Sequence, residues 1–158
     1  TWAALTLAAV DLEHRVHLRL LWALEVADGE VTVREVTDAA LAYARDTSAR
    51  AVALDPYTSG EVAAHLDAAG VTVVKAAGSR LARAAGDLLA AVTSRRLRHD
   101  DDPVLTAHVL AAGTVPTGDG AVVLSRRTST GPIAAAVAAA LAVHAAGTPA
   151  TRGVPVVR

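Results

Sequence analysis

Asp55 closes a short apolar run, Ala51-Val52-Ala53-Leu54, and Pro56 follows it directly. Apolar runs of this length bounded by turn signals read as buried strands, and proline cannot donate to a sheet ladder. Asp55 is therefore expected at the carboxyl end of a central strand, the edge where open α/β sheets bind ligands. A carboxylate there can hold Mg²⁺, which favours one or two carboxylates together with substrate phosphate. It can equally open an Asp-Pro turn or cap the next helix. The residues alone leave both roles open.

A second acidic group, Asp100-Asp101-Asp102, follows His99 and the basic cluster Arg95-Arg96-Leu97-Arg98. Asp102 before Pro103 reads as a helix cap with proline in the first turn. Asp100 and Asp101 are free either to hold metal or to lie solvated. His99 could orient a neighbouring acid or touch phosphate. Arg126 and Arg127 follow an apolar run and precede a Ser/Thr-rich turn; they read as contacts to a phosphate backbone or as a solvated rim. No histidine pair has zinc spacing, Ser59 lies in no nucleophile elbow, and no Gly-rich phosphate loop is present.

These groups need a scaffold, and the composition bounds it. A chain of 158 residues is expected to form one domain with a real core. Phe, Met and Cys are absent, so Ala, Val and Leu must pack with helices close against a sheet. Absence of cysteine excludes disulfides and thiolate metal sites, and suits a reducing cytosol. The net charge of −1 gives no global electrostatic case for nucleic-acid binding. Lys75 is the only lysine, the other basic residues being arginine. Arginine suits bidentate phosphate contacts, although GC-rich coding gives the same profile. No apolar run reaches the ~20 residues of a membrane span, and nothing reads as a signal peptide.

Along the chain, residues 1–10 and 16–26 read as an antiparallel hairpin, the second arm alternating from Val16 to Val26. Asp28-Gly29 is a turn signal, with a brief return strand near Glu30–Val31. Thr32-Val33-Arg34-Glu35 reads as a capping box opening a helix to about Ser48. After the Asp55 strand, Thr58-Ser59-Gly60-Glu61 reads as a second box, and that helix ends at Gly70. Val71–Val74 is a strand, and Ser79 is expected to cap a helix ending in the Arg95–Arg98 cluster. Another helix runs from Pro103 to about Gly113, a strand covers Ala121–Ser125, and a last helix runs from Pro132 to about Ala146. The tail 147–158 reads as loosely held. Strand–helix–strand order implies parallel pairing with right-handed crossovers, so a mixed sheet with helices on its faces is predicted.

The succession of these motifs resembles the nuclease domain of tailed-phage terminase large subunits. The resemblance rests on Leu54-Asp55-Pro56-Tyr57 and on the helix ending Ala69-Gly70-Val71. It continues through Leu97-Arg98-His99-Asp100, Asp102-Pro103-Val104-Leu105 and His108-Val109, then the closing strand, basic loop and Ala-rich helix. It covers about residues 1–146. It implies a ribonuclease-H-like α/β fold, an N-terminal antiparallel hairpin plus parallel strands with helices on both faces. It also implies cleavage of double-stranded DNA during genome packaging, with Mg²⁺ or Mn²⁺ held by carboxylates. The implied partners are an ATPase motor domain, the small terminase subunit and the portal, in the cytoplasm of a bacterial host, for a phage or prophage protein. Asp55 matches the family's acid at the end of the central strand.

The resemblance also sets out departures. The family's first-strand acid is expected just before the segment at Thr1, so the chain reads as a fragment that starts after it. The family's last acid follows an isoleucine at the start of the final helix, where this chain has Ile133-Ala134. Asp100 or Asp101 would have to substitute as ligands. Two other readings stand beside an active nuclease: a catalytically silent DNA-binding or assembly module of the same fold, and a small-molecule α/β enzyme.

Overall fold

The computed structural model describes residues 1–148. The opening hairpin forms as its alternation predicts. Strands β1 (Trp2–Val10) and β2 (Val16–Glu25) pair antiparallel. Asp11 organises the turn between them, accepting the Arg15 amide at 2.8 Å and meeting His17 Nε2 at 2.9 Å. The His17 contact, with Arg15 beside it, holds the Asp11 carboxyl far below the usual carboxylate range.

The uninterrupted alternation expected from Val16 to Val26 does not hold. Leu5 lies opposite Trp22 but Thr6 lies opposite Leu20, so Leu21 is an extra residue. A bulge of this kind moves the following side chains to the other face. Leu20 and Trp22, two apart in sequence, therefore belong to opposite faces. The expected return strand at Glu30–Val31 is also absent, those residues having no regular structure.

Helix α1 (Val33–Asp46) starts at the predicted capping box. Thr32 accepts from the Glu35 amide while the Glu35 carboxylate accepts from the Thr32 amide. Strand β3 (Val52–Leu54) leads into helix α2 (Pro56–Ala68), and β4 (Val73–Lys75) pairs parallel with β3. Helix α3 (Ser79–Thr93) starts after Gly78, at φ +56°, with no side-chain cap. Ser79 is the first helical residue rather than the expected cap. A left-handed backbone at Gly78 turns the chain sharply enough to start the helix there.

Two strands escape the sequence reading. Leu97-Arg98, read as the basic end of a helix, is strand β5 (Leu97–Arg98), parallel to β2. The helix stops before it because Arg95 takes a positive φ of 56°. After α4 (Pro103–Ala111), residues read as loop form β6 (Gly113–Pro116), antiparallel to β7 (Val122–Ser125). Helix α5 (Ala134–Gly147) closes the described chain. Arg50 ties down its end, donating to the carbonyls of Ala145 at 2.7 Å and Thr148 at 3.1 Å, where a helix presents unpaired acceptors. Apart from Gly147 and Thr148, the expected loose tail lies outside the described residues.

The result is the mixed α/β layering expected, but the hydrogen-bonded ladders are separate: β1-β2-β5, β3-β4 and β6-β7. Among the described residues strand β3 is hydrogen-bonded on one edge, to β4. Its other edge faces β1, for the two strands line the same cavities. Helices α1 and α2 cover one face, where Ala40, Val62 and Leu66 pack with Leu5, Val52 and Leu54. Helices α3, α4 and α5 cover the other, where Ala91, Leu105, Ala135 and Ala139 meet Val16 and Leu18. Ala135 and Ala139 are both 0 % exposed. With no side chain beyond Cβ, α5 comes close to the strands, as the alanine-rich composition requires.

Candidate functional site

Asp55 sits at the carboxyl end of β3 and caps α2. One oxygen, Oδ1, accepts the Tyr57 amide at 2.9 Å, and Thr58 Oγ1 donates to Oδ2 at 3.4 Å. The predicted Thr58 capping box does not form. The Asp-Pro pair starts the helix three residues earlier, because Pro56 supplies helical φ and lacks the N–H that would need a partner. The helix then kinks at Ser59, whose φ of −138° and ψ of 28° lie outside the helical region.

A cavity of about 570 Å³ opens beside Asp55. Thr58, Ser59 and Arg126 lie on its wall, together with Ile133 and Ala134 at the start of α5. Asp55, Thr58, Arg126 and Ile133 also line a second, adjoining recess. One mouth thus holds a carboxylate, a hydroxyl and a guanidinium.

The loop carrying Arg126 is held firmly. Ser129 Oγ donates to the Ser125 carbonyl at 2.6 Å and accepts the Gly113 amide at 2.8 Å, while the Thr130 amide reaches the Ala111 carbonyl at 3.0 Å. Gly113 permits this closeness: a Cβ there would collide with the Thr128 carbonyl. Arg126 is brought to the cavity with Asp55, whereas Arg127 is exposed and does not line it.

The other acids are placed elsewhere. Asp100 lies 3.6 Å from Arg19 on β2. His99 Nδ1 accepts the Asp101 amide at 3.2 Å in a local turn where Asp101 has φ +58°. Neither Asp100, Asp101 nor His99 lines the cavity at Asp55. Strand order explains the separation, since β5 lies beyond β2 from β1. Asp102 accepts from Val104 and Leu105 amides, both at 2.9 Å, as a helix cap should.

The sequence reading missed Lys75, Arg80 and Thr58 as neighbours of this edge. Lys75 ends β4 in register with Leu54, and Arg80 donates to the Lys75 carbonyl at 3.1 Å. The signal for Lys75 was its place at the end of an apolar run parallel to that of Asp55. That for Thr58 was its position three residues after a capping acid.

A Mg²⁺ or Mn²⁺ pair does not fit the residues present. Among the described residues no group of three or more acidic or histidine side chains could hold a metal ion. Both Asp55 oxygens are engaged by helix-start donors, and Ala134 offers no oxygen ligand at the final helix. Hard cations need several oxygen ligands, so no step through a metal follows from these side chains.

No family model matches the chain, and no curated protein does. Among solved structures the fold is similar to that of the large terminase of bacteriophage HK97, with a TM-score of 0.71 at 18% identity over 92% of this chain. The chain spans 39% of that protein's length. It is also similar to the large terminase nuclease of thermophilic phage G20c, with a TM-score of 0.59 at 16% identity, over 89% of this chain and 81% of that one. At these identities the likeness establishes the fold, which is ribonuclease-H-like. No helix of the described residues is long and apolar enough to cross a membrane.

Proposed function

We propose that this chain is a terminase-type nuclease domain that engages double-stranded DNA along the edge carrying Asp55 and Arg126. We further propose that its own side chains do not complete a cutting site. The carrying observation is that Asp55 and Arg126 line one cavity at the carboxyl end of β3, while no second carboxylate among the described residues lines it. In this reading Arg126, on the wall of the Asp55 cavity, positions the phosphate backbone, with Arg127 next to it in the loop. Asp55 is the one carboxylate that the described residues bring to this mouth, and they do not supply the further oxygen ligands that Mg²⁺ or Mn²⁺ would need there. An ATPase motor domain, the small terminase subunit and the portal are the partners that packaging would require, in the cytoplasm of a bacterial host.

The catalytically silent module is favoured for the chain as it stands, by the separation of Asp100 and Asp101 from Asp55. Plasmid DNA incubated with the protein and Mn²⁺, beside an Asp55→Ala control, tests the reading. Salt-sensitive binding with no cutting above the control is expected. Efficient cutting that disappears in the control would show an active nuclease instead. Absence of binding at low salt would remove DNA from the account.

A further inference from the structure

Between Lys75 and His99 the chain carries six basic residues and one acid, in a protein whose net charge is −1. The acid, Asp87, is engaged by His144 at 2.7 Å. Helix α3 spans most of this segment. Through Leu81, Ala84 and Ala85 its first half borders the recess shared by Asp55 and Arg126. Its end lies at the opposite pole of the strands. There the Arg96 carbonyl accepts the amide of Val16 at 2.9 Å, and Val16 opens β2. The last residue of β2, Glu25, lies opposite Trp2, which lines the Asp55 cavity. With 15 residues, α3 separates the two ends by ~22 Å.

Arg95, Arg96 and Arg98 are all exposed at the far end. Among the described residues none of the three forms an ion pair. Acids of the adjoining turns are already engaged: Asp11 by Arg15 and His17, Glu13 by Arg15, and Asp100 by Arg19. The arginine stems are nonetheless fixed. Arg96 donates from Nε to Ser94 Oγ at 3.0 Å and from Nη1 to the His14 carbonyl at 3.3 Å. Arg98 Nη1 donates to the carbonyls of Arg95 and Leu97, at 2.9 and 3.0 Å. Nη2 of both has no partner among the described residues, and a guanidinium carries five donors.

Arg95 is also held in a costly backbone. It has φ +56°, in a turn where its amide reaches the Val92 carbonyl and the Arg96 amide reaches Ala91, both at 2.9 Å. Helices α1 and α2 end in the same turn, with the small residues Ser48 and Gly70 at that position. A left-handed residue here is usually glycine, because a Cβ is crowded. Strain kept at one position in this way points to a use for the side chain.

We infer that the far end of α3, through Arg95, Arg96 and Arg98, is a second contact for the phosphate backbone of duplex DNA, apart from the Asp55 edge. The occupant follows from charge: three fixed arginines without counterions match the acceptor geometry of phosphate. A duplex lying along α3 covers ~22 Å in about six or seven base-pair steps of 3.4 Å. The outward side of the helix leaves room for it. Arg83, Gly86, Ala90 and Thr93 recur there at helical spacing and are exposed, and a Cβ on Gly86 would meet nothing within 4 Å. The inference takes its ligand from the DNA reading above, but not its place.

Arg95→Gly separates a binding role from a structural one, since it removes the charge and relieves the backbone together. The variant should show a raised denaturant midpoint. It should nevertheless bind a duplex of about 20 base pairs ~3-fold more weakly, and Arg95→Gly combined with Arg98→Gln should bind ~10-fold more weakly. The slope of log K against log salt should fall by about 2 in the double variant. Parent-like affinity and slope in that variant, with binding still weakened by Arg126→Ala, overturn the inference and leave the Asp55 edge as the DNA site. Loss in the double variant with Arg126→Ala unchanged upholds this contact and overturns the reading of the Asp55 edge. No duplex binding by the parent at low salt overturns both. Polyglutamate of matched charge binding as tightly as the duplex, with the same sensitivity to Arg95→Gly, overturns the inference in favour of an acidic polypeptide.

Discussion

His108 Nδ1 accepts the backbone N–H of Ala135 at 3.0 Å, joining α4 to the first turn of α5. The ring is 3 % exposed and meets Trp2 edge-on, with centroids 4.7 Å apart. Acceptance at Nδ1 leaves the proton of the neutral ring on Nε2. Burial pushes the His108 pKa below its ordinary 6.5, against an opposing pull from Glu25. The unfolded chain therefore takes up this proton before the folded one. The contribution of His108 to stability is complete above pH 6.5 and is lost as the pH falls from there toward the folded value. His108→Ala should cost ~1–3 kcal/mol, since it orphans a buried amide. Denaturant midpoints between pH 5 and 8 should show a shallower acid-side decline in the variant than in the parent.

Asp55 has a structural duty whether or not it has a chemical one. Asp55→Ala should lower stability by ~0.5–2 kcal/mol through loss of the α2 cap, whereas Asp55→Asn keeps a cap and should stay close to the parent. Thermal melts read that difference. Any metal-dependent cutting that uses the carboxylate should vanish in both variants. Cutting retained by Asp55→Asn would leave the residue as a helix cap and nothing more.

These two residues also mark what the sequence could and could not disclose. Asp55 was legible because an apolar run, an acid and a proline are adjacent in the chain, and local order alone puts the acid at a strand end. The Thr32–Glu35 capping box and the Asp102 cap were legible for the same reason. Strands β5 and β6 were not, because each is two to four residues long and carries too little periodicity to outweigh a helix or loop reading. The bulge at Leu21 was hidden by continuous apolar residues on either side. Separation of Asp100 from Asp55 depends on strand order, which no local pattern encodes. The partner of His108 was hidden as well, because it is a backbone amide 27 residues away.

Gly113 stands where β6 passes the Arg126 loop. Gly113→Ala places a methyl group against the Thr128 carbonyl, which is backbone and cannot rotate away. Overpacking of this kind costs ~1–3 kcal/mol, and it should also displace the loop that carries Arg126. A lowered denaturant midpoint together with weaker DNA binding is expected. A stable variant with unchanged binding would show that the loop tolerates the shift.

Arg126 and Arg127 are adjacent in sequence yet placed differently, one at the Asp55 cavity and one outside it. If both touch phosphate, each contributes to counterion release, and replacing either by alanine should reduce the slope of log K against log salt by about 1. The placement predicts an asymmetry beyond this. Arg126→Ala should also change how Asp55→Asn affects binding, because the two side chains share a wall, whereas Arg127→Ala should combine additively with it. A double-mutant cycle in duplex-binding titrations at two salt concentrations measures both effects. Coupling to Arg127 as strong as that to Arg126 would mean that DNA, and not the cavity, connects these groups.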